Sequence, residues 1–327
     1  MNYSFFGTCA NDYEQLFCCL ETMLEQSVIP KQIILINSGE NDIKEDIQKK
    51  ISYKNVKLVY VFKKLSRVKA LNIAVELSDA EYSFRFDSRA RFSKKYAETA
   101  LGLLEDKKIG ASVVGGVPKS LAEKSSFEAI VCSEIMDRSY IFFYPKHRDL
   151  NYSGYASSIY LGCFNSKIIK EIKFNEKKSL LSEDSLIIKD FLEKGYKAYL
   201  SSKIKISYVS RSSIIRILRL FNTYGFCRAN TILITKKIFI SIRHLIVCIS
   251  FLAFLFFLAQ FSLILLLSFP LFLFSINLLG EIINAKRSLK IYLPFYATLC
   301  QFSWIMGFLW SLISIFKKKK TQSNFIS

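Results

Sequence analysis

Three stretches of this chain carry residues that could do chemistry. Asp87 closes the apolar-alternating run Tyr82 to Phe86 and is followed at once by Ser88 and Arg89. A parallel strand delivers an acid to the ligand crevice at its carboxyl end in this way. Glu183 and Asp184 stand before Leu186, Ile187, Ile188, Phe191 and Leu192, whose spacing predicts a helix ending at a left-handed cap on Gly195. Acids at a helix start also stabilise its positive end with no further role, so a structural reading competes with a catalytic one there. The third stretch is cationic. Arg211, Arg216, Arg219, Arg228, Lys236, Lys237 and Arg243 fall in one segment without an acid, and Ile214, Ile215, Ile217, Leu218, Leu220 and Phe221 give it an apolar face. Such a segment beside an apolar run reads as lying in the headgroup interface of an anionic leaflet, with plain positive-inside flanking as the competing account.

Other chemistries are disfavoured. The eight cysteines lack Cys-x-x-Cys spacing and fall mostly in apolar segments, so buried thiols in a reducing cytosol are expected; with only His147 and His244, a His-rich metal site is not. There is no Gly-x-Gly-x-x-Gly after the first strand and no Gly-x-x-x-x-Gly-Lys loop, which argues against dinucleotide and P-loop cradles. The chain is 51% apolar yet carries a formal charge of +19, which suggests a membrane protein meeting an anionic ligand or lipid surface. Nucleic acid is not expected as a partner, because the basic residues are not interleaved with exposed aromatics and no RNA-binding or zinc-finger signature appears. No signal peptide is expected at the N-terminus.

The elements that must position these residues alternate. Tyr3 to Cys9 is β-prone and leads into Asp12 and Gln15, a capping pair for a helix carrying Leu16, Phe17, Leu20, Met23 and Leu24. Gln32 to Ile36 reads as a doubly buried strand running into the turn Asn37-Ser38-Gly39. Strands are expected at Val56 to Val61, Tyr82 to Phe86 and Ala111 to Val114, and helices at Val68 to Leu77 and Lys94 to Leu104. The fold class is α/β, a mostly parallel sheet flanked by helices.

The ordered set Thr8-Cys9-Ala10-Asn11, Asn37-Ser38-Gly39, Arg67 to Asn72, Arg85-x-Asp87, Val114-Gly115-Gly116-Val117, Gly154, Ser182-Glu183-Asp184-Ser185 and Arg211 to Arg228 resembles the nucleotide-sugar half of family 2 glycosyltransferases of the succinoglycan and capsular polysaccharide type. The resemblance covers roughly residues 3 to 230 and implies a GT-A domain. It implies that Thr8, Asn11, Asn37, Arg67, Asn72, Asp87 and Arg89 bind the donor, that Asp184 is the general base and that Glu183 caps the helix or orients the acceptor. It also implies that Arg211, Arg219, Tyr224 and Arg228 grip the donor diphosphate or a lipid phosphate. Family members commonly hold a divalent cation with a second ligand two residues after the strand-end acid, but here that position is Arg89. Either Asp87 binds Mg²⁺ or Mn²⁺ with help from phosphates and water, or Arg89 itself pairs with a phosphate. Asn37 stands where the family often has Asp.

Leu245 to Gly280 is uncharged, about 54 Å as a helix against a hydrocarbon core of about 30 Å, so it must fold back near Gln260 to Ser262 or break at Pro270. A second uncharged run, Ile291 to Phe316, lies between Lys286, Arg287, Lys290 and Lys317 to Lys320; a hairpin followed by a re-entrant or interfacial final segment, containing Trp304, Gly307 and Trp310, puts both clusters in the cytoplasm, while two spans put the linker outside. The expected organisation is a GT-A domain over 1–210, an interfacial segment over 211–244, membrane-embedded helices over 245–316 and a basic cytoplasmic tail over 317–327. The function this implies is an inverting transfer of sugar from a nucleotide donor to a lipid-linked or growing surface glycan at the cytoplasmic membrane face, among polysaccharide assembly partners and anionic lipids. The rival is an inactive membrane-anchored nucleotide-sugar-binding scaffold; a processive synthase is disfavoured because its Gln-x-x-Arg-Trp signature is absent.

Overall fold

The computed structural model describes residues 2–142, 145–176, 183–235, 249, 251–252, 255, 263–284 and 290–323. The chain divides into two compact units, one made of Met1–Leu121, Lys146–Ser179 and Glu183–Val209, the other of Ala122–Pro145 with the chain from Ser210 onward.

The first unit is built on an eight-stranded sheet. Its parallel half comprises β3 (Lys57–Phe62), β2 (Gln32–Asn37), β1 (Tyr3–Cys9) and β4 (Tyr82–Asp87), side by side in that order. Beyond β4 the sheet turns mixed, through β9 (Cys163–Asn165), β6 (Val113–Gly115), β10 (Ala198–Leu200) and β8 (Gly154–Tyr155), with β9 antiparallel to both its neighbours. A second sheet joins β5 (Ala90–Phe92), β11 (Ile206–Val209) and β7 (Pro118–Leu121).

Period-two alternation sorts the central strands between two cores. Phe5, Ile33, Leu35, Phe84 and Phe86 face one, where they meet Leu16, Leu20 and Met23 of α1 (Tyr13–Leu24), Ile47 of α2 (Lys44–Ile51) and Tyr96, Ala97 and Leu101 of α4 (Tyr96–Glu105). Phe6, Ile34 and Ile36 face the other, against Val68, Leu71 and Val75 of α3 (Arg67–Glu76), Ile169 of α6 (Ser166–Ile172) and Ile187, Ile188 and Phe191 of α7 (Glu183–Glu193). Gly195 follows α7 with φ +83°, as the sequence expects.

One sequence expectation about a cap is corrected. Asp12 is the residue before α1 but makes no side-chain cap; its carboxylate is taken by Arg89 and Ser88, and Gln15 Oε1 accepts from Arg91 Nη2 at 2.5 Å. Charged donors, Arg89 from the β4–β5 turn and Arg91 from β5, outcompete the helix's own backbone N–H groups for these acceptors, since hydrogen bonds to ionised donors are the stronger ones.

The second unit is helical. Ala122–Pro145, which the sequence leaves inside the first domain, contains α5 (Phe127–Asp137), and its Val131 and Ile135 share a core with Ile217 and Phe221 of α8 (Ile214–Thr235) and Leu293 and Ala297 of α10 (Tyr292–Ser323). The remaining helix, α9 (Leu263–Asn284), runs through Pro270 without breaking. Neighbouring apolar helices tolerate such a proline by local adjustment. The fold-back expected near Gln260 to Ser262 lies outside the described residues, as do Lys286 and Arg287. The last segment is one continuous helix; its single proline, Pro294, sits in the first turn, where the missing N–H has no intrahelical partner to lose. Within it Tyr292–Ser314, 23 residues, is long and apolar enough to cross a membrane by length and composition.

Candidate active site

The pleat of β4 decides what reaches the site. Because Phe84 and Phe86 point to one core, Arg85 and Asp87 point to the opposite face of the sheet, the side of α3 and α7. Arg85 is 1% exposed, on the face that also buries Phe6, Ile34, Ile36 and Phe164. An isolated buried charge is strongly unfavourable, so it must be paired. It donates Nη2 to Glu183 Oε1 at 2.9 Å and Nη1 to Asp184 Oδ1. The guanidinium also lies over the Phe174 ring, 5.5 Å from its centroid, while its Nε–H has no hydrogen-bond partner among the described residues.

Arg67, the first residue of α3, extends the arrangement. Its Nη2 donates to Asp87 Oδ2 at 3.0 Å and its Nε lies 2.8 Å from Glu183 Oε1. Ser66 caps that helix by accepting from Lys69 N, which fixes where Arg67 begins. The result is an alternating series Asp87, Arg67, Glu183, Arg85, Asp184 at the carboxyl end of the parallel strands. Thr8 is register partner to Asp87 on the adjacent strand and shares its face.

The series sets the protonation behaviour of its acids. Burial alone would raise the Glu183 pKa, but the guanidinium groups of Arg85 and Arg67 outweigh it and hold the carboxyl below the usual range. Asp184 goes the other way: burial pushes it above the ordinary aspartate range, the charges of Glu183 and Asp87 add to this, and Arg85 and Arg67 oppose it. An aspartate so displaced is closer to the range in which a base is useful.

Three of the sequence-derived donor residues serve the scaffold. Asn37 is fully buried, donates Nδ2 to Asn41 O at 2.7 Å and Tyr60 Oη at 2.9 Å, and accepts from Gly39 N. Asn11, at φ +63°, accepts from Glu40 N at 2.8 Å, tying the β1–α1 loop to the β2–α2 loop. Asn72 clamps the backbone of Phe174, donating to its carbonyl at 2.9 Å and accepting from its N–H at 2.8 Å. Arg89 is 8% exposed and donates Nε to Asp12 Oδ2 at 2.8 Å and Nη1 to Val209 O at 3.4 Å; its backbone N–H donates to Asp87 Oδ1. The cation paired with Asp87 through its side chain is Arg67.

Arg211, Arg219, Tyr224 and Arg228 belong to the helical unit. Arg219 and Arg228 are nine residues apart on α8, which at 3.6 residues per turn sets them on opposite faces, while Tyr224 and Arg228 share one.

The fold has solved counterparts. The chain aligns with the mannosyltransferase PcManGT from Pyrobaculum calidifontis, solved with GDP-Man and Mn²⁺, at TM-score 0.60 and 13% identity, covering 95% of this chain and 87% of that one. The fold is that of a glycosyltransferase. S. aureus TarS aligns at TM-score 0.45 and 15% identity over 69% of this chain and 39% of TarS, so the chain spans well under half of that protein. In sequence, the chain is 25% identical over 234 residues to the dolichyl N-acetyl-alpha-D-glucosaminyl phosphate 3-beta-D-2,3-diacetamido-2,3-dideoxy-beta-D-glucuronosyltransferase of Methanococcus voltae, which is 66% of this chain and 69% of that protein. No family model matches.

In this glycosyltransferase fold a divalent cation would need ligands beside Asp87. Among the described residues no group of three or more His, Cys, Asp or Glu could hold one. Both Asp87 oxygens already accept hydrogen bonds, from Arg67 and from the Arg89 N–H, and both other acids of the series are held by arginines. The donor set does not fit a metal site built by the protein. Arg85 stands in the Arg85-x-Asp87 motif, but the sequence reading gives it no role at the site. Its signal is present all the same: one charge between Phe84 and Phe86, in a strand that otherwise reads as core.

Proposed function

We propose that the protein is an inverting glycosyltransferase of family 2 type that moves a sugar from a nucleotide donor to a lipid-linked acceptor. The observation that carries this reading is the alternating series from Asp87 to Asp184 at the carboxyl end of the parallel strands in a glycosyltransferase fold. Asp87, Arg67 and Thr8 form the donor side. Arg67, half-exposed where it bridges Asp87 and Glu183, is the cation of the series that a diphosphate can reach. Asp184, half-buried, is the base. It takes the proton of the acceptor hydroxyl while that oxygen's electron pair forms the bond to the anomeric carbon. The bond from that carbon to the diphosphate breaks, its pair leaving with the nucleoside diphosphate. Attack opposite the leaving group inverts the anomeric centre.

The Methanococcus relative acts on a dolichyl-linked saccharide by its name, and the helix Tyr292–Ser314 together with the basic segment from Arg211 supports an acceptor presented at a membrane. Positive-inside bias supports a cytoplasmic catalytic face. The domain division, 1–210 for transfer, 211–244 at the interface and 245–316 in the membrane, belongs to the same reading.

The test uses the full chain in lipid nanodiscs, a panel of radiolabelled UDP- and GDP-sugars, and polyprenyl phosphate or polyprenyl diphosphate monosaccharide as acceptor, with and without EDTA. Sugar transfer with release of nucleoside diphosphate is expected. Asp184→Asn should lose transfer by about a hundred- to ten-thousand-fold while UDP or GDP still raises the melting temperature. Retained turnover in that variant would sink the base assignment. Nucleotide stabilisation without transfer from any donor would favour the scaffold reading instead.

A further inference from the structure

Arg85 is buried, centrally placed and not assigned a part in the transfer. Its two hydrogen-bonded partners are adjacent acids at the start of α7, and one of them is the proposed base. The guanidinium is itself held from behind. Phe174 carries the ring beneath it, and Asn72 fixes Phe174 by bonding both its backbone N–H and its carbonyl. A fork that binds Glu183 with one nitrogen and Asp184 with another sets both the position and the orientation of the second carboxylate, which a single point charge could not do.

We propose that Arg85 is the positioning residue for the base: it orients the Asp184 carboxylate toward the acceptor and keeps it ionised in its half-buried setting. This rests on the glycosyltransferase reading above. Among the described residues, the charged or titratable groups that act on Asp184 are Arg85 and Asp87 from β4, Arg67 from α3, Glu183 beside it on α7 and Tyr160 from the loop ahead of β9. Without Arg85, two carboxylates face Asp184 against, among the described residues, the cation of Arg67. Asp184 then titrates at higher pH, and because the base must be deprotonated, the acid limb of the rate profile moves up with it. A role confined to fastening α7 to the sheet would change stability and leave that limb in place.

The test measures kcat, donor KM and the pH dependence of kcat for the full chain in nanodiscs, using the UDP- or GDP-sugar selected by the panel, in Arg85→Met and Arg85→Lys. The Met variant should lose about a hundredfold or more in kcat with donor KM changed less than about threefold, and its acid limb should move to higher pH. The Lys variant should keep the wild-type acid limb and recover at least about tenfold over Met, yet stay about tenfold below wild type because an ammonium cannot fork. If the Met variant does not fold, judged by loss of the UDP- or GDP-dependent rise in melting temperature, the Lys variant carries the test: kcat lowered about tenfold on an unmoved limb, with donor KM and melting temperature unchanged, supports the proposal, and a melting temperature that falls along with kcat overturns it. Wild-type kcat in either variant, or a Met variant slowed on an unmoved limb, overturns it. Absence of transfer by the wild-type chain across the whole panel overturns the function reading and this proposal together, whereas an active wild type with an indifferent Arg85 overturns this proposal alone.

Discussion

Arg67 donates Nη2 to Asp87 Oδ2 at 3.0 Å, joining the first residue of α3 to the last residue of β4. The carboxylates of Asp87, Glu183 and Asp184 overcome the burial that works against its charge and strengthen its hold on the proton. Arg67 is 43% exposed, so little stability depends on the pair, and exchange of partners with an incoming diphosphate is open to it. Arg67→Met should weaken UDP or GDP binding by about ten- to a hundredfold, the worth of one charge-assisted hydrogen bond, while moving the melting temperature of the unliganded chain little. Titration calorimetry beside a thermal scan separates the two. Unchanged nucleotide affinity would remove Arg67 from the donor site.

The Arg89–Asp12 pair makes the opposite case. Arg89 has 9% of its side chain exposed, so removing Asp12 takes the ionic partner described for it from a nearly buried charge. Asp12→Ala should destabilise the chain by about 1–3 kcal/mol, less than a fully buried pair because the Asp12 side is 34% exposed. A fall of several degrees in melting temperature, with nucleotide affinity intact, is the expected result. A selective loss of nucleotide affinity instead would return Arg89 to the donor site that sequence reading gives it.

These two arginines mark how far the sequence reaches. Long, regularly patterned elements are legible from side-chain periodicity: β1, β2, α3, β4 and α7 lie where their apolar residues put them. Short strands such as β5, β9 and β10, three residues each, carry too few residues to show a period, and β9, antiparallel to both its neighbours, turns the main sheet from parallel to mixed. At the site, the positions of Asp87 and Glu183–Asp184 follow from a strand end and a helix start. Partner choice does not, because nothing local tells Arg67 from Arg89: one follows a serine cap and the other follows a strand-end acid, and only the tertiary fold sets Asp12 beside the second. Arg85 is visible as an oddity in its strand, but its partners lie nearly a hundred residues away.

In the helical unit α8 and α10 approach closely at two glycines. A Cβ on Gly225 would fall 1.9 Å from the Trp304 carbonyl oxygen, and one on Gly307 would fall 1.9 Å from that of Asn222. Both obstacles are backbone, which cannot swing away. Either Gly225→Ala or Gly307→Ala should therefore cost at least about 2–3 kcal/mol by forcing the helices apart. Gly102, in α4 with nothing within 4 Å of its would-be Cβ, provides the control: Gly102→Ala should be neutral or stabilising by up to about 1 kcal/mol, from helix propensity. Thermal scans of the three variants in detergent test this, and equal behaviour of all three would contradict the close approach.

Glu183 yields a pH dependence with a definite sign. Its folded-state pKa lies below the unfolded value of about 4.3, because Arg85 and Arg67 favour the ionised form more than burial opposes it. The stabilisation is therefore fully present above about pH 4.3 and is lost as pH falls through the lower folded value, where protonation removes the charge both arginines share. Glu183→Gln abolishes that charge at every pH, leaving Arg85 with Asp184 and Arg67 with Asp87. At pH 7 the variant should be less stable than wild type by about 3 kcal/mol, as for breaking one side of a buried pair. The difference should shrink as pH falls below about 4.3, since the wild-type residue becomes neutral too. Asp184 shifts the other way, and because the Glu183 charge that helps raise it is gone in the variant, its opposing contribution is smaller there and offsets part of the gap at pH 7. Melting curves of wild type and variant across pH 3 to 8 measure the gap directly, and a gap that stays constant or widens toward low pH would refute the assignment of Glu183 as the carboxylate shared by Arg67 and Arg85.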